Sequence, residues 1–252
     1  MGPTSGQPLM KVAIGIPARF ESTRFPGKPL AELAGKPMIA HVIERARAAN
    51  IGDVYVATDH EGIAAVAKEH GANVCMTRAD HNSGTERLAE AMRTVDCDVV
   101  INVQGDEPLI DPEAIRAVAE PFRHDHSLSM ATLAHPIQSS DDFNDPNVVK
   151  VVCNAKGHAL YFSRAPIPFP RNPGGTADVG PLQHVGLYAY RKEFLLIYPG
   201  LTPCESEAVE QLEQLRVLHH GYSIAVNSGD FVCIGVDTPE DLARAEKIIS
   251  ES

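Results

Sequence analysis

The stretch KVAIGIPARFESTRFPGKPL, Lys11–Leu30, decides the fold class. Its opening, Lys11–Pro17, is an apolar run of strand length, and a Gly/Pro-rich loop follows through Gly35 before helical spacing begins near Pro37 and continues to Ala49. The same alternation then repeats. Val54–Thr58 predicts a strand and Gly62–Glu69 a helix; Asn73–Met76 a strand and Glu86–Arg93 a helix; Val99–Val103 a strand and Pro112–Glu120 a helix. Repeated β-then-α units imply a mainly parallel sheet, with right-handed crossovers setting helices on both faces. Ligands of such sheets bind beyond the carboxyl ends of the strands, which directs attention to the loops after Ile16, Ala57 and Val103.

The chain has 252 residues, 44% apolar and 22% charged, enough to bury a core as one large α/β domain with an appendage or as two small ones. Twenty-two lysines and arginines against 33 acids give a formal charge of −11, which argues against a broad nucleic-acid footprint. Any anionic ligand must therefore be held locally. No stretch approaches the ~20 apolar residues that span a bilayer, so no membrane insertion is expected. The opening MGPTSGQP has neither a secretory pattern nor a myristoylation signal, and a soluble cytoplasmic protein is the expectation. Five cysteines, odd in number and without a C-x-x-C, read as reduced thiols. The histidine pairs His124/His126 and His219/His220 lack a zinc context and read as surface or loop residues.

Beyond about Leu133 the rhythm changes. Val148–Cys153, Ala159–Phe162 and Leu187–Tyr190 predict strands without long helices between them, a smaller antiparallel excursion, and Ala165–Pro181 reads as a surface loop. Ser206–His219 predicts one helix, Ser223–Val226 and Val232–Val236 strands, and Thr238 the N-cap of a final helix.

Three segments carry chemistry. The loop Ile16–Leu30 packs Arg19, Arg24 and Lys28 into an otherwise acidic protein; it reads either as a grip for a triphosphate or as a solvated basic loop. It is neither a Walker A loop nor a G-x-G-x-x-G fingerprint. In NVQGDEPLI, Asn102–Ile110, an apolar strand runs into Gln104, Gly105, Asp106 and Glu107, a place for Mg²⁺ and phosphate oxygens or an acidic turn before a helix. In GVDTPEDL, Gly235–Leu242, Asp237 repeats that design, or serves as a cap-region acid. Ser83 and Gly84 precede a helix and suit a base, ribose or phosphate, or simply an N-cap. Arg164, His184 and Tyr188 are polar groups beside strands, with ligand-binding or structural roles open. Glu207, Glu210 and Gln214 fall on one face of a helix at i, i+3 and i+7, which reads either as a solvated face or as part of a sugar site.

Taken in order, PARFESTRFPGKPL, ATDHEGI, MTRADHNSGTERLAEA, NVQGDEPLI, ALYFSRAPIP, HVGLYAYR, LEQLRVL and GVDTPEDL resemble the 3-deoxy-manno-octulosonate (Kdo) cytidylyltransferase family, from about Lys11 to Lys247. The resemblance implies a nucleotide-diphospho-sugar transferase-like α/β fold, a homodimer, Mg²⁺ dependence, and CTP and Kdo as substrates giving CMP-Kdo and pyrophosphate for lipopolysaccharide biosynthesis. It implies in-line attack of the sugar's anomeric hydroxyl on the α-phosphate. On matching positions it assigns the CTP phosphates to Arg19, Ser22, Arg24 and Lys28, and cytidine to Arg78, Ser83 and Gly84. Gln104 would serve both substrates. Arg164, His184, Tyr188, Glu210 and Gln214 would line the sugar site, Arg164 facing the sugar carboxylate. Asp106 and Asp237 would bind the metal and, with Lys28, form the catalytic set. The expected organisation is a tail over 1–10, a nucleotide-binding core over 11–132, a sugar-binding and dimerisation region over 133–232, and a return to the core sheet over 233–252. A sialic acid in place of Kdo, or CTP binding without turnover, are the alternatives.

Overall fold

The computed structural model describes residues 10–21, 25–171, 180–231, 235, 236 and 238–251. The sheet is built first from β1 (Val12–Pro17), and a short ribbon, β2 (Glu32–Leu33) with β3 (Lys36–Pro37), leads into helix α1 (Met38–Ala48). Then come β4 (Asp53–Thr58), α2 (Glu61–Glu69), β5 (Asn73–Met76), α3 (Gly84–Ala91), β6 (Val99–Asn102) and α4 (Pro112–Ala119). β1 pairs in parallel with both β4 and β6, and β4 with β5, as the βα alternation requires.

Past the short α5 (Pro121–His124), the second half adds β7 (Met130–Pro136), α6 (Ser140–Asn144), β8 (Lys150–Cys153), β9 (Ala159–Ser163) and the long β10 (Leu182–Arg191). It closes with α7 (Lys192–Ile197), α8 (Glu205–Glu210), α9 (Gln214–His219), β11 (Ile224–Ser228) and α10 (Pro239–Ser250). The sheet runs β11-β7-β10-β6-β1-β4-β5, with β8 beside the first part of β10 and β9 beyond it. β10 is antiparallel to β6, β7 and β8, so the antiparallel excursion continues the parallel sheet. β7 straddles the expected boundary at 132/133, and the sheet is unbroken across it.

Alternation along β1 sorts the two cores. Ile14 and Ile16 face Ile39, Val42 and Ile43 of α1, Ile63 of α2, and Ile115 and Val118 of α4. Ala13 faces the other way, into the cluster of Leu88 and Met92 with Phe194 of α7 and Leu215 and Val217 of α9. Gly15 lets Leu88 pack closely on that second face, because a Cβ there would lie 2.2 Å from Leu88 Cδ1 and displace it. The close approach brings the start of α3 against the end of β1.

Two expectations differ from what is observed. The helix expected over Ser206–His219 is two helices, because Gln211 takes the left-handed conformation at φ 53° and ends α8. The strand β7 has no counterpart in the sequence reading: MATLAHP is buried for most of its length and shows no alternation to mark it. Of the strand expected over Val232–Val236, residues 232–234 lie outside the described residues.

Candidate functional site

The loop after β1 folds back on itself. Gly27 adopts φ 70° and its N–H donates to the Phe20 carbonyl at 3.0 Å, while the Phe20 ring stacks on His60 with centroids 4.2 Å apart. The turn Lys28–Leu30 then aims Lys28 at the sheet's carboxyl edge. Its Nζ donates to Asp106 Oδ2 at 2.7 Å and to the Val236 carbonyl at 2.9 Å, and Val236 N–H donates to the Asp106 carbonyl at 2.8 Å. The amino-terminal loop, the end of β6 and the segment before α10 are thereby tied at one point.

Around that point lies a cavity of about 230 Å³, whose walls include Arg19, Lys28, Ser83, Gly84, Gln104 and Asp106. Ser83 caps α3, its Oγ accepting the Glu86 N–H at 3.2 Å. The first N–H groups of α3 thus meet the cavity, at the helix end that favours anions. Gly105 must lack a side chain here, since a Cβ would stand 2.9 Å from the Pro17 carbonyl oxygen. These six residues are brought together as expected. Ser22, Arg24 and Asp237 lie outside the described residues.

A second cavity, of about 210 Å³, shares Gly84 and Gln104 with the first. Tyr188 and Gln214, both expected at a sugar site, line it together with Tyr190, Tyr198 and Glu213. Gln214 is 4% exposed, and among the described residues its Nε2 has no hydrogen-bond partner. Burial pushes the Tyr188 and Tyr190 hydroxyls well above the ordinary phenol range, so both stay protonated donors. Burial, with Asp106 nearby, likewise raises Glu107 to about 8, and its Oε2 has no partner among the described residues.

The remaining expected residues sit elsewhere. His184 packs edge-on against Phe162 and behind Tyr188, and burial lowers it to about 3, so it is neutral. Its Nε2 lies 3.0 Å from the Thr132 hydroxyl, which also reaches the carbonyls of Val185 and Leu187 at 3.0 and 2.9 Å. That hydroxyl braces the irregularity in β10 between Val185 and Tyr188. Arg164 and Glu210 form a separate knot. Ser163 Oγ and Arg164 N–H donate to the Glu210 carboxylate at 2.6 and 2.9 Å, and the Arg164 guanidinium donates to the carbonyls of Glu210 and Pro146 at 2.7 and 3.0 Å. Neither residue lines the two cavities. Glu207, on the same expected helical face, is instead paired with Arg216 at 2.5 Å. Arg78 lies across His81 from the first cavity, along an adjoining groove.

Arg87 and His81 line the first cavity and were not singled out in the sequence. Arg87 is 3% exposed and held by Thr77 Oγ1 at 2.6 Å and Asp59 Oδ2 at 3.2 Å. Its signal was its place four residues after the cap Ser83, one turn along the same side of α3. Tyr190 could have been found from Tyr188, since residues two apart on a strand share a face. Among the described residues there is no cluster of three or more metal-ligating side chains, and no helix is long and apolar enough to cross a membrane. Cys75, Cys97, Cys153 and Cys204 are free thiols.

Two compartments across a common wall, one ringed by cations and amide donors at the ends of parallel strands, define an α/β enzyme class that joins a nucleotide to a second substrate. The chain belongs to the cytidylyltransferase family, which it matches over residues 13–224. A 3-deoxy-manno-octulosonate cytidylyltransferase of Syntrophotalea carbinolica is 52% identical over 244 residues, covering 94% of this chain and 98% of the relative. One from Pectobacterium carotovorum is 49% identical over 249 residues, with 96% and 99% covered. A solved CMP:2-keto-3-deoxy-manno-octonic acid synthetase complexed with CTP is 44% identical, with a TM-score of 0.89 over 96% of this chain and 99% of that one. A 4-diphosphocytidyl-2C-methyl-D-erythritol synthase from Anaerococcus prevotii, 12% identical with a TM-score of 0.62 over 96% of this chain and 99% of that one, shares the fold.

Proposed function

We propose that this protein transfers CMP from CTP to the anomeric hydroxyl of Kdo, forming the sugar–phosphate bond of CMP-Kdo and releasing pyrophosphate. The observation that carries this reading is the wall shared by the two cavities, Gly84 and Gln104, at the carboxyl edge of the sheet. The relatives' names, and the CTP complex of the solved neighbour, give the compartments their occupants. CTP would lie with its phosphates toward Arg19, Lys28 and the start of α3, and the sugar against Tyr188 and Gln214. The sugar hydroxyl attacks the α-phosphorus as the bond to the bridging oxygen breaks, and its proton passes to solvent.

Positioning and electrostatic stabilisation dominate such a transfer. Arg19 and Lys28 would offset charge on the phosphates, and Gln104, facing both compartments, would orient the reacting ends. The Asp106 carboxylate is a hard oxygen donor at a strand end facing this polar cavity, a donor set that suits Mg²⁺ shared with phosphate oxygens. Asp106, with Asp237 as a second candidate, would hold the ion, which supplies Lewis-acid polarisation of the phosphate when bound. We assign the reaction to the cytoplasm and the active form to a homodimer.

The test is pyrophosphate release with each of four nucleoside triphosphates crossed with Kdo and sialic acid. Release confined to CTP with Kdo is expected. Release with sialic acid instead would replace the sugar assignment, and tight CTP binding without release from any pair would overturn the transfer.

A further inference from the structure

The loop between β5 and α3 is tied to α3 at two carboxylates: Glu86 accepts the Asn82 N–H at 3.0 Å, and Glu90, which lines neither cavity, holds the stretch before it. Glu90, on the last turn of α3, accepts three interactions from that loop. Its Oε1 takes the Arg78 N–H at 3.3 Å, its Oε2 takes the ring Nε2 of His81 in a short hydrogen bond, and the Arg78 guanidinium Nε stands 3.6 Å away. A carboxylate can only accept, so the His81 Nε2 carries its proton toward Glu90. His81 is 7% exposed at the side chain and divides two spaces, the nucleotide cavity on one side and the groove of Arg78, Glu86 and Arg93 on the other. Its ring is therefore a wall whose place depends on Glu90. Partial burial opposes ionisation of Glu90, but the hydrogen bonds from His81 and Arg78 prevail and hold its carboxyl below the ordinary value.

We infer that Glu90 is a positioning residue for nucleotide binding, acting through His81 to fix the wall of the nucleotide cavity and, with it, the loop that delivers Ser83. This inference rests on the assignment of that cavity to CTP. A wall fixed in advance lowers the ordering cost of binding and leaves the sugar compartment untouched. Its removal is thus expected to act on one substrate alone, which a general loss of structure would not do.

The experiment measures CTP affinity by calorimetry, together with the KM for each substrate, in wild type, Glu90→Leu, His81→Ala, the double variant and Glu90→Gln. Glu90→Leu is expected to weaken CTP about tenfold in Kd and KM, with the Kdo KM and kcat within about twofold. The double variant should bind CTP no worse than His81→Ala, and Glu90→Gln, which keeps an acceptor for His81, should recover most of the affinity. Unchanged CTP affinity in Glu90→Leu, or losses that add in full in the double variant, would overturn the inference. Should Glu90→Leu fail to fold, His81→Ala and Glu90→Gln decide it: wild-type CTP affinity in His81→Ala, or a loss in Glu90→Gln as large as in His81→Ala, refutes it. Wild-type protein that binds no CTP would refute the cavity's assignment instead, and CTP binding without pyrophosphate release would refute only the transfer.

Discussion

At the residue scale, Lys28 and Asp106 meet as an ion pair in the wall of the first cavity. Lys28 is 12% exposed at its side chain and Asp106 34%, so the lysine is the anchored partner and the carboxylate the accessible one. Replacing Asp106 by Asn keeps an acceptor for Lys28 while removing the charge. We expect Asp106→Asn to fold normally and to lose at least ~100-fold in kcat, the scale of a major electrostatic contribution. Near-normal turnover would remove Asp106 from the metal role. Lys28→Ala should chiefly raise the KM for CTP, and equal effects on both substrates would place the lysine outside the triphosphate region. This scale was the most legible in the sequence where polar residues follow apolar strands, as at Arg19, Lys28, Gln104 and Asp106. It was least legible where distant segments supply the partner. Nothing local distinguishes Arg164, which is spent on backbone carbonyls, from an arginine that faces a ligand.

Elements explain why the site holds its shape. The βα alternation through α4 was readable because each unit is short and regularly patterned, and the parallel pairing follows from it. The second half was harder. β7 is apolar without a period, and the split between α8 and α9 depends on the single backbone angle at Gln211, an ordinary helix former. The contact between β1 and α3 gives an element-level prediction. Gly15→Ala would press a methyl into fully buried Leu88 and displace α3, at a cost of about 1–3 kcal/mol. Urea unfolding should show the lowered midpoint, and CTP affinity should fall in parallel because the start of α3 lines the cavity. Intact stability would mean that Leu88 finds another rotamer without moving the helix.

For the whole molecule, stability should carry the mark of His184. In the native protein its ring stays neutral down to about pH 3, whereas in the unfolded chain it takes up a proton near its ordinary value of 6.5. Between those limits the unfolded state binds more protons, so stability falls as pH falls, by at most about 1.4 kcal/mol per pH unit from this group. His184→Gln should flatten that slope between pH 6 and pH 4 in urea titrations. An unchanged slope would assign the acid sensitivity to other groups. The bond between the two halves of the chain is equally global: β10 joins β6 to β7 in one sheet, so the compartments cannot separate as independent domains without breaking strand pairing.

The partition made by Gly84 and Gln104 has a consequence for inhibitor chemistry. A single compound with a cytidine head and a sugar-acid tail, joined by a stable bridge of one phosphate's length, would occupy both chambers at once. Once one end is seated, the other is held at high local concentration, so such a tethered ligand should dissociate far more slowly than either fragment.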